Sequence, residues 1–154
     1  MMRRMKFTLG AVTAIALSTA ALASEVAPDA VEFTDDGVVA SLTGVAGDSA
    51  AGADVFKTKK LGNCLACHAN SDMADQPFHG NVGPPLDGVA SRWSEAELRA
   101  ILVDSKKGLS DETLMPGFYS LEVGENVAEA FVGKTILTAQ QVEDVLAYLG
   151  TLKE

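Results

Sequence analysis

The sequence has few basic residues, few cysteines and histidines, and no alternating pattern of the kind that indicates β-strands. Its 12 lysines and arginines are outnumbered by 21 aspartates and glutamates, which gives a formal charge of −9 at pH 7. This excess argues against binding to nucleic acid or to an anionic membrane. It favours a basic protein partner, although the same charge also keeps a protein in solution. No internal repeat is present, so the chain has the length of about one globular domain.

The first apolar run has the anatomy of a secretory signal. Arg3, Arg4 and Lys6 precede the run, which closes on small residues, and we predict cleavage after Ala23, so that residues 1–23 form a signal peptide. An uncleaved membrane anchor is disfavoured because the run is interrupted by polar residues and falls short of the roughly 20 residues that span a bilayer. Cleavage leaves 131 residues with a formal charge of −12. No other apolar stretch is long enough to cross a membrane, and we expect a periplasmic protein.

Three helices are indicated by start signals and apolar spacing. The first begins at Ser49. The other two begin at capping boxes, in which Ser94 pairs with Glu97 and Thr138 pairs with Gln141. Apolar residues that recur at helical spacing predict the core, namely Val55, Phe56, Leu98, Ile101, Leu102, Val142, Val145, Leu146 and Leu149.

The remainder is predicted to form loops and an N-terminal extension. Residues 24–48 form the extension, which we expect to lie over the domain surface or against a partner, unless they are a disordered tail. The first helix should stop near Gly62 and the second near Lys107. Residues 80–88 are rich in turn formers and predict an ordered loop, and a short helix is expected at residues 126–131. The fold class is therefore all-α, with loops too long for a simple helix bundle.

The run CLACH at residues 64–68 matches the attachment motif of haem c. Cys64 and Cys67 lie three positions apart on one turn, so each thiol can form a thioether to a vinyl group of one porphyrin. His68 then presents its imidazole to the iron as the proximal ligand. A redox-active cysteine pair would need a βαβ context, and a zinc site would need a second compact ligand pair. Neither is present, and the motif predicts one covalent haem c.

Three residues are candidates for the opposite side of the iron. Met73 follows His68 by five residues, a reach of at most about 17 Å, so we expect it at the surface and not on the iron. His79 lies far enough along the chain to reach. Met115 lies in a loop where Pro116 restricts its backbone to extended geometry, which suits the presentation of a thioether. Core packing is the commoner role of a methionine, so the residues alone leave His79 and Met115 open.

The order of motifs along the chain resembles that of class I c-type cytochromes. A helix containing Phe56 is followed by the haem motif, by GPPLDG at residues 83–88, by Met115 and Pro116, and by a last helix ending in VLAYL. This resemblance implies a cytochrome c fold of three to four helices with long loops around one covalent haem. It places the cytochrome c domain at residues 49–154, after the extension.

The same resemblance implies roles for individual residues. Cys64 and Cys67 are the haem anchors and His68 is the proximal ligand. Met115 is then the distal ligand, on the His/Met precedent of cytochromes c. The carbonyl of Pro84 accepts a hydrogen bond from the other ring nitrogen of His68 and fixes the ring. His79, in contrast, becomes a residue that shapes its loop.

Several longer runs are similar to the small monohaem X subunit of the sulfur-oxidising Sox cytochrome complex, namely SLTG, NCLACH, FHGNVGPPLDGVASRWSEAELRAILVDSKK, LMPGFY and GKTILTAQQVEDVLAYL. In that family the X subunit pairs with a larger haem-containing A subunit, which holds the active site. Together they oxidatively join thiosulfate to a cysteine of a carrier protein. The resemblance implies that this chain passes electrons to a soluble acceptor cytochrome, and it has no third cysteine for thiol chemistry of its own. A free-standing carrier cytochrome and a subunit of an unrelated periplasmic dehydrogenase are the alternatives.

Overall fold

The computed structural model describes residues 25–122 and 124–154. The predicted signal peptide, its cleavage site and the first residue of the predicted extension lie outside this part of the chain. The described residues contain five α-helices, namely α1 (Ser49–Lys57), α2 (Val89–Arg92), α3 (Glu95–Val103), α4 (Ser105–Gly108) and α5 (Ala139–Leu149). One short 3₁₀ turn, Pro28–Ala30, precedes α1, and three more lie between the helices, at Cys64–Ala66, Ser71–Met73 and Glu129–Phe131. Across these same residues the only β-type pairing is one isolated bridge, so the all-α prediction is confirmed.

The two predicted capping boxes are confirmed. Ser94 Oγ accepts from the N–H of Glu97 at 3.3 Å, and the Glu97 carboxylate accepts from the N–H of Ser94 at 2.7 Å. Thr138 and Gln141 make the corresponding pair of bonds at the start of α5, at 3.2 and 3.0 Å. The start of α1 is capped by Asp48, whose carboxylate accepts two N–H groups of the first turn. Each cap satisfies backbone donors that have no partner within the helix.

Three predicted helix boundaries differ from the structure. The first helix ends at Lys57 and not near Gly62. The second is divided by Asp104, whose extended backbone (φ −150°, ψ 96°) ends α3 and begins α4. The short helix expected at residues 126–131 is only the 3₁₀ turn Glu129–Phe131. The four-residue helix α2 was not predicted.

The core is formed where α5 packs against α1 and α3. All nine predicted core residues are buried. The ring of Phe56 on α1 meets that of Tyr148 on α5 edge to face, with centroids 5.4 Å apart. Gly52 lets the backbones of α1 and α5 approach closely, because a Cβ at this position would overlap the carbonyl of Asp144. This crossing fixes the orientation of the segment that leaves α1 and enters the haem motif.

Residues 25–48 of the N-terminal extension include side chains that are buried against the helices, so this segment does not lie only on the surface. Val38 and Leu42 are each only 1% exposed and belong to the core. The N–H of Val38 donates to the carbonyl of Ala96 at 3.0 Å. The N–H of Leu42 donates to the carboxylate of Glu143 at 2.7 Å. Residues 25–48 therefore contribute to the packing of α3 and α5.

A buried ion pair joins these three elements. Arg99 on α3 and Glu143 on α5 are both almost fully buried, and Arg99 Nε lies 3.0 Å from Glu143 Oε1. Arg99 also donates to the carbonyl of Val38 in the extension at 3.0 Å. A second ion pair joins the same guanidinium to the carboxylate of Glu95, whose side chain is largely exposed.

None of the helices in residues 25–122 and 124–154 combines the length and apolar character that a membrane crossing requires.

Candidate haem-binding site

The haem motif forms one tight turn directly after α1. Asn63 enters it in a left-handed backbone conformation (φ 50°, ψ 33°), which asparagine tolerates better than most residues. The N–H groups of Cys67 and His68 both donate to the carbonyl of Cys64, at 3.1 and 3.0 Å. Cys64 is half-buried and Cys67 is exposed. This single turn therefore carries both thiols and the imidazole within a short length of backbone.

The loop at residues 80–86 is fixed along the haem motif by its backbone. Three main-chain hydrogen bonds of 2.8–2.9 Å connect them, from Gly80 to Leu65, from Gly83 to Cys67 and from Leu86 to Ala69. Two glycines permit this close approach. A Cβ at Gly80 would overlap the carbonyl of Ala66, and a Cβ at Gly83 would overlap the His68 ring. The proximity of these two segments thus depends on residues without side chains.

The proximal histidine is oriented by this loop. His68 Nδ1 lies 2.7 Å from the carbonyl oxygen of Pro84, which is the contact that the resemblance to class I cytochromes implies. Because a carbonyl can only accept, Nδ1 carries the proton and donates. The lone pair of Nε2 is then available to a metal, in the tautomer that a backbone partner usually selects.

Arg92, on the unpredicted helix α2, holds the far end of the same loop. Its guanidinium donates to the carbonyl of Asp87 and, at 3.0 Å, to that of Pro85. The Asp87 carboxylate accepts from the N–H of Ser71 at 3.0 Å, and hydrogen bonding from Ser71 lowers the pKa of Asp87. The proline segment beside His68 is therefore held by backbone and side-chain hydrogen bonds.

His79 uses both ring nitrogens to shape its loop. Nδ1 accepts from the N–H of Asn70 at 3.2 Å, and Nε2 lies 3.0 Å from the carbonyl of Met73, to which it donates. One neutral tautomer satisfies both contacts, so neither nitrogen has a free lone pair for iron.

The prediction that Met73 lies at the surface is wrong, because Met73 is only 6% exposed and belongs to the core. Its short distance from His68 in sequence restricts access to the iron but does not prevent burial.

A buried contact between Asn70 and Tyr148 was not predicted from the sequence. Asn70 is fully buried, and its Nδ2 donates to the Tyr148 hydroxyl at 2.7 Å. That hydroxyl donates to the Asp72 carboxylate at 2.9 Å, and burial together with this bond raises the pKa of Tyr148. These contacts attach the segment after the haem motif to α5. The only sequence signal was the position of Tyr148 three residues after Val145, at helical spacing.

The two thiols fit covalent haem better than they fit a redox pair or zinc. Both are free in the structure, and burial raises the pKa of Cys64 to about 12, whereas redox-active cysteines have lowered pKa values. Within the described ranges, no three His, Cys, Asp or Glu side chains converge on a point where an ion would sit, as a zinc site requires. Two free thiols on one turn would suit attachment to one larger group, whose metal His68 would bind through Nε2. When bound, haem supplies a one-electron redox couple.

Met115 lies in a different loop from the haem motif. The structure brings Cys64, Cys67, His68 and Pro84 together, whereas Met115 is held near α4. The Ser105 hydroxyl donates to the Met115 carbonyl, and the Met115 N–H donates to the hydroxyl of Thr113 at 3.3 Å. The side chain is half-buried and packs against the core. Because both bonds use its backbone, they fix the position of the residue without engaging its sulfur.

Comparisons with known proteins identify one family model and several similar structures. A family model described as cytochrome c matches residues 49–153. The crystal structure of SoxXA from P. pantotrophus is similar with a TM-score of 0.78 and 42% sequence identity, over 85% of this chain and 100% of that chain. Ferric cytochrome c-550 from Paracoccus versutus matches 70% of this chain and 99% of its own, with 21% identity and a TM-score of 0.39. Cytochrome c2 from Paracoccus denitrificans matches 70% and 97%, with 20% identity and a TM-score of 0.39. No curated protein matches the sequence.

Two of these findings establish the family. The cytochrome c model extends from the start of α1 to beyond the end of α5. The similarity to SoxXA covers a complete chain of that structure and 85% of this chain, at 42% identity. The chain therefore belongs to the cytochrome c family, as a SoxX-type monohaem cytochrome that carries one covalent haem c.

Proposed function

We propose that the chain is the electron-transfer subunit of a heteromeric enzyme that oxidatively couples thiosulfate to a cysteine of a carrier protein. The observation that carries this proposal is the 42% identity to SoxXA over a complete chain of that structure. The substrate site belongs to a larger haem-containing A subunit, and the enzyme is of the L-cysteine S-thiosulfotransferase type. This chain has no cysteine besides Cys64 and Cys67, so it offers no thiol nucleophile once both hold haem. Its own role is non-catalytic.

The proposed reaction determines what the chain has to do. Joining thiosulfate to a thiol forms a sulfur–sulfur bond and releases two electrons and one proton. With a single haem, this chain accepts the electrons one at a time and passes each to a soluble acceptor cytochrome. The complex works in the periplasm, to which the predicted signal peptide directs the chain.

The residues of the site have the following roles in this proposal. Cys64 and Cys67 anchor the haem through thioethers. His68 binds the iron through Nε2, while the 2.7 Å bond to the Pro84 carbonyl fixes the ring. Met115 supplies the distal sulfur from a loop whose backbone is held by Ser105. Rigid ligands limit the change in geometry between the oxidised and reduced states, which suits electron transfer.

Co-purification tests the proposed assembly. The processed chain is tagged, purified from its native periplasm at physiological salt and low micromolar concentration, and weighed by native mass spectrometry. We expect a complex with one larger haem-containing subunit. Recovery only as a monomer would refute the subunit assignment and favour a free-standing carrier cytochrome.

A further inference from the structure

Tyr119, four residues after Met115, contacts the start of the described chain. Its side chain is 2% exposed, and its hydroxyl lies 2.9 Å from the Glu25 carboxylate and 2.7 Å from the Val26 carbonyl. One hydroxyl proton is shared between these two acceptors. The N–H of Val26 in turn donates to the carbonyl of Leu42 at 2.8 Å. The loop that carries Met115 is therefore bound to the N-terminal segment.

The other side of the same loop is bound to α3. The N–H of Phe118 donates to the Leu102 carbonyl at 2.9 Å, and that of Tyr119 donates to the Val103 carbonyl at 3.1 Å. Gly117 approaches α3 so closely that a Cβ there would lie 3.0 Å from the Val103 carbonyl. Residues after Met115 thus lie between the end of α3 and residues 25–26.

The N-terminal segment is itself firmly anchored. The Val38 carbonyl accepts from Arg99 at 3.0 Å, and the Val38 N–H donates to the Ala96 carbonyl at the same distance. The Leu42 N–H donates to the buried Glu143 carboxylate at 2.7 Å. A restraint on Tyr119 from residues 25–26 is therefore transmitted to α3 and α5 and not to a loose chain end.

We propose that residues 25–42, the N-terminal strap, keep the sulfur of Met115 on the iron, with Tyr119 as the positioning residue. Withdrawal of Met115 requires its loop to move outward, and the strap opposes that movement through the Tyr119 hydroxyl. The inference rests on the proposed role of Met115 as distal ligand. It gives a function to a segment that lies before the region matched by the cytochrome c model.

Exchange of the distal ligand measures this restraint directly. Imidazole binds the iron of the ferric, haem-loaded protein only after the sulfur leaves. At high imidazole concentration the rate of binding therefore reaches a limit, which equals the rate of loop opening. We expect Tyr119→Phe to raise that rate about tenfold, the effect of losing one buried hydrogen bond with a charged component. Tyr148→Phe is the matched control, because it removes a similarly buried hydroxyl that contacts Asn70 and Asp72. It should change the rate by less than about twofold.

Substitutions of Glu25 test the strap without disturbing the core, because Glu25 is exposed. They therefore distinguish loss of the hydrogen bond from a folding defect caused by changing the buried Tyr119. Glu25→Ala leaves the Val26 carbonyl as the remaining acceptor and should raise the rate about threefold, since a carboxylate is the stronger acceptor. Glu25→Gln retains an acceptor oxygen and should stay closer to wild type. A wild-type rate in Tyr119→Phe or in Glu25→Ala would overturn the proposal. So would an equal rise in Tyr148→Phe, which would show only general loosening of the fold.

The near-infrared sulfur-to-iron absorption tests separately whether Met115 is the distal ligand and whether the strap holds it there. If that absorption survives in Met115→Ala, Met115 is not the ligand and the strap has no such function. If Met115→Ala abolishes it and Tyr119→Phe leaves imidazole exchange unchanged, the ligand stands and only the strap is refuted.

Discussion

The two histidines differ in which of their nitrogen atoms remain available. His68 donates from Nδ1 to Pro84, which leaves Nε2 for a metal. His79 accepts at Nδ1 and donates from Nε2, which leaves neither nitrogen. His79 thus offers no free nitrogen to a metal, whereas the backbone of Met115, the distal ligand in our proposal, is held by hydrogen bonds that do not involve its sulfur. The hydrogen bonds of each histidine thus indicate that His68 can bind iron and that His79 cannot.

Replacement of Met115 tests that choice. Met115→Ala should abolish the near-infrared sulfur-to-iron absorption of the ferric protein, because no other thioether replaces it. The control is Met73→Leu, which nearly conserves volume at a buried position and should retain the absorption. Loss of the absorption in Met73→Leu with retention in Met115→Ala would reverse the assignment.

Gly83 is a second residue on which the site depends. A Cβ there overlaps the His68 ring, so Gly83→Ala should displace the imidazole and break its bond to Pro84. We expect a changed reduction potential and a loss of about 1–3 kcal/mol in the free energy of unfolding. Spectroelectrochemistry and urea titration measure the two quantities. Gly150→Ala is the control, because its Cβ would meet only ordinary contacts of 3.4 Å, and similar behaviour of both variants would contradict the packing argument.

Among the secondary-structure elements, those with local signals were the ones that the sequence predicted well. The capping boxes at Ser94 and Thr138 place the starts of α3 and α5, because the bonds involved join residues three positions apart. Helical spacing likewise identified the buried faces of α1, α3 and α5. The cysteine and histidine spacing predicted the haem-binding turn for the same reason.

The features that the sequence did not predict depend on contacts between distant segments. The helix α3 ends early because the carbonyls of Leu102 and Val103 accept from Phe118 and Tyr119, more than ten residues later in the chain. Val38 is buried because α3 supplies partners for its backbone. The full burial of Asn70 is understood only when Tyr148 lies beside it and accepts its hydrogen bond. No local spacing encodes these pairings.

The ion pair between α3 and α5 yields a prediction about stability. Glu143→Ala leaves the Arg99 charge buried without its main partner, and should lower the free energy of unfolding by about 3–5 kcal/mol. Glu95→Ala removes the other partner of the same guanidinium, but the Glu95 side chain is 74% exposed, so the loss should stay below about 1 kcal/mol. Urea titration of both variants measures the difference. Equal losses would contradict the structural role of the buried pair.

The whole molecule combines an electron-transfer site with an integrated N-terminal segment. Core residues of the extension, the buried ion pair and the loop of Met115 are connected through α3 and α5. The chain has a strong negative charge, which favours encounter with a partner that presents basic residues. These properties suit a subunit whose task is to accept electrons from a bound partner and deliver them to a soluble one.

Reduction during turnover tests this account most directly. The purified complex of this chain with its larger subunit is oxidised and mixed with thiosulfate and the carrier protein in a stopped-flow spectrometer. The near-infrared sulfur-to-iron absorption reports the ferric, sulfur-bound haem that we propose for this chain, and a carrier protein whose cysteine is replaced serves as the control. We expect the absorption to disappear as the carrier is modified and to return when oxidised acceptor cytochrome is added. Persistence of the absorption while the carrier is modified would contradict the account.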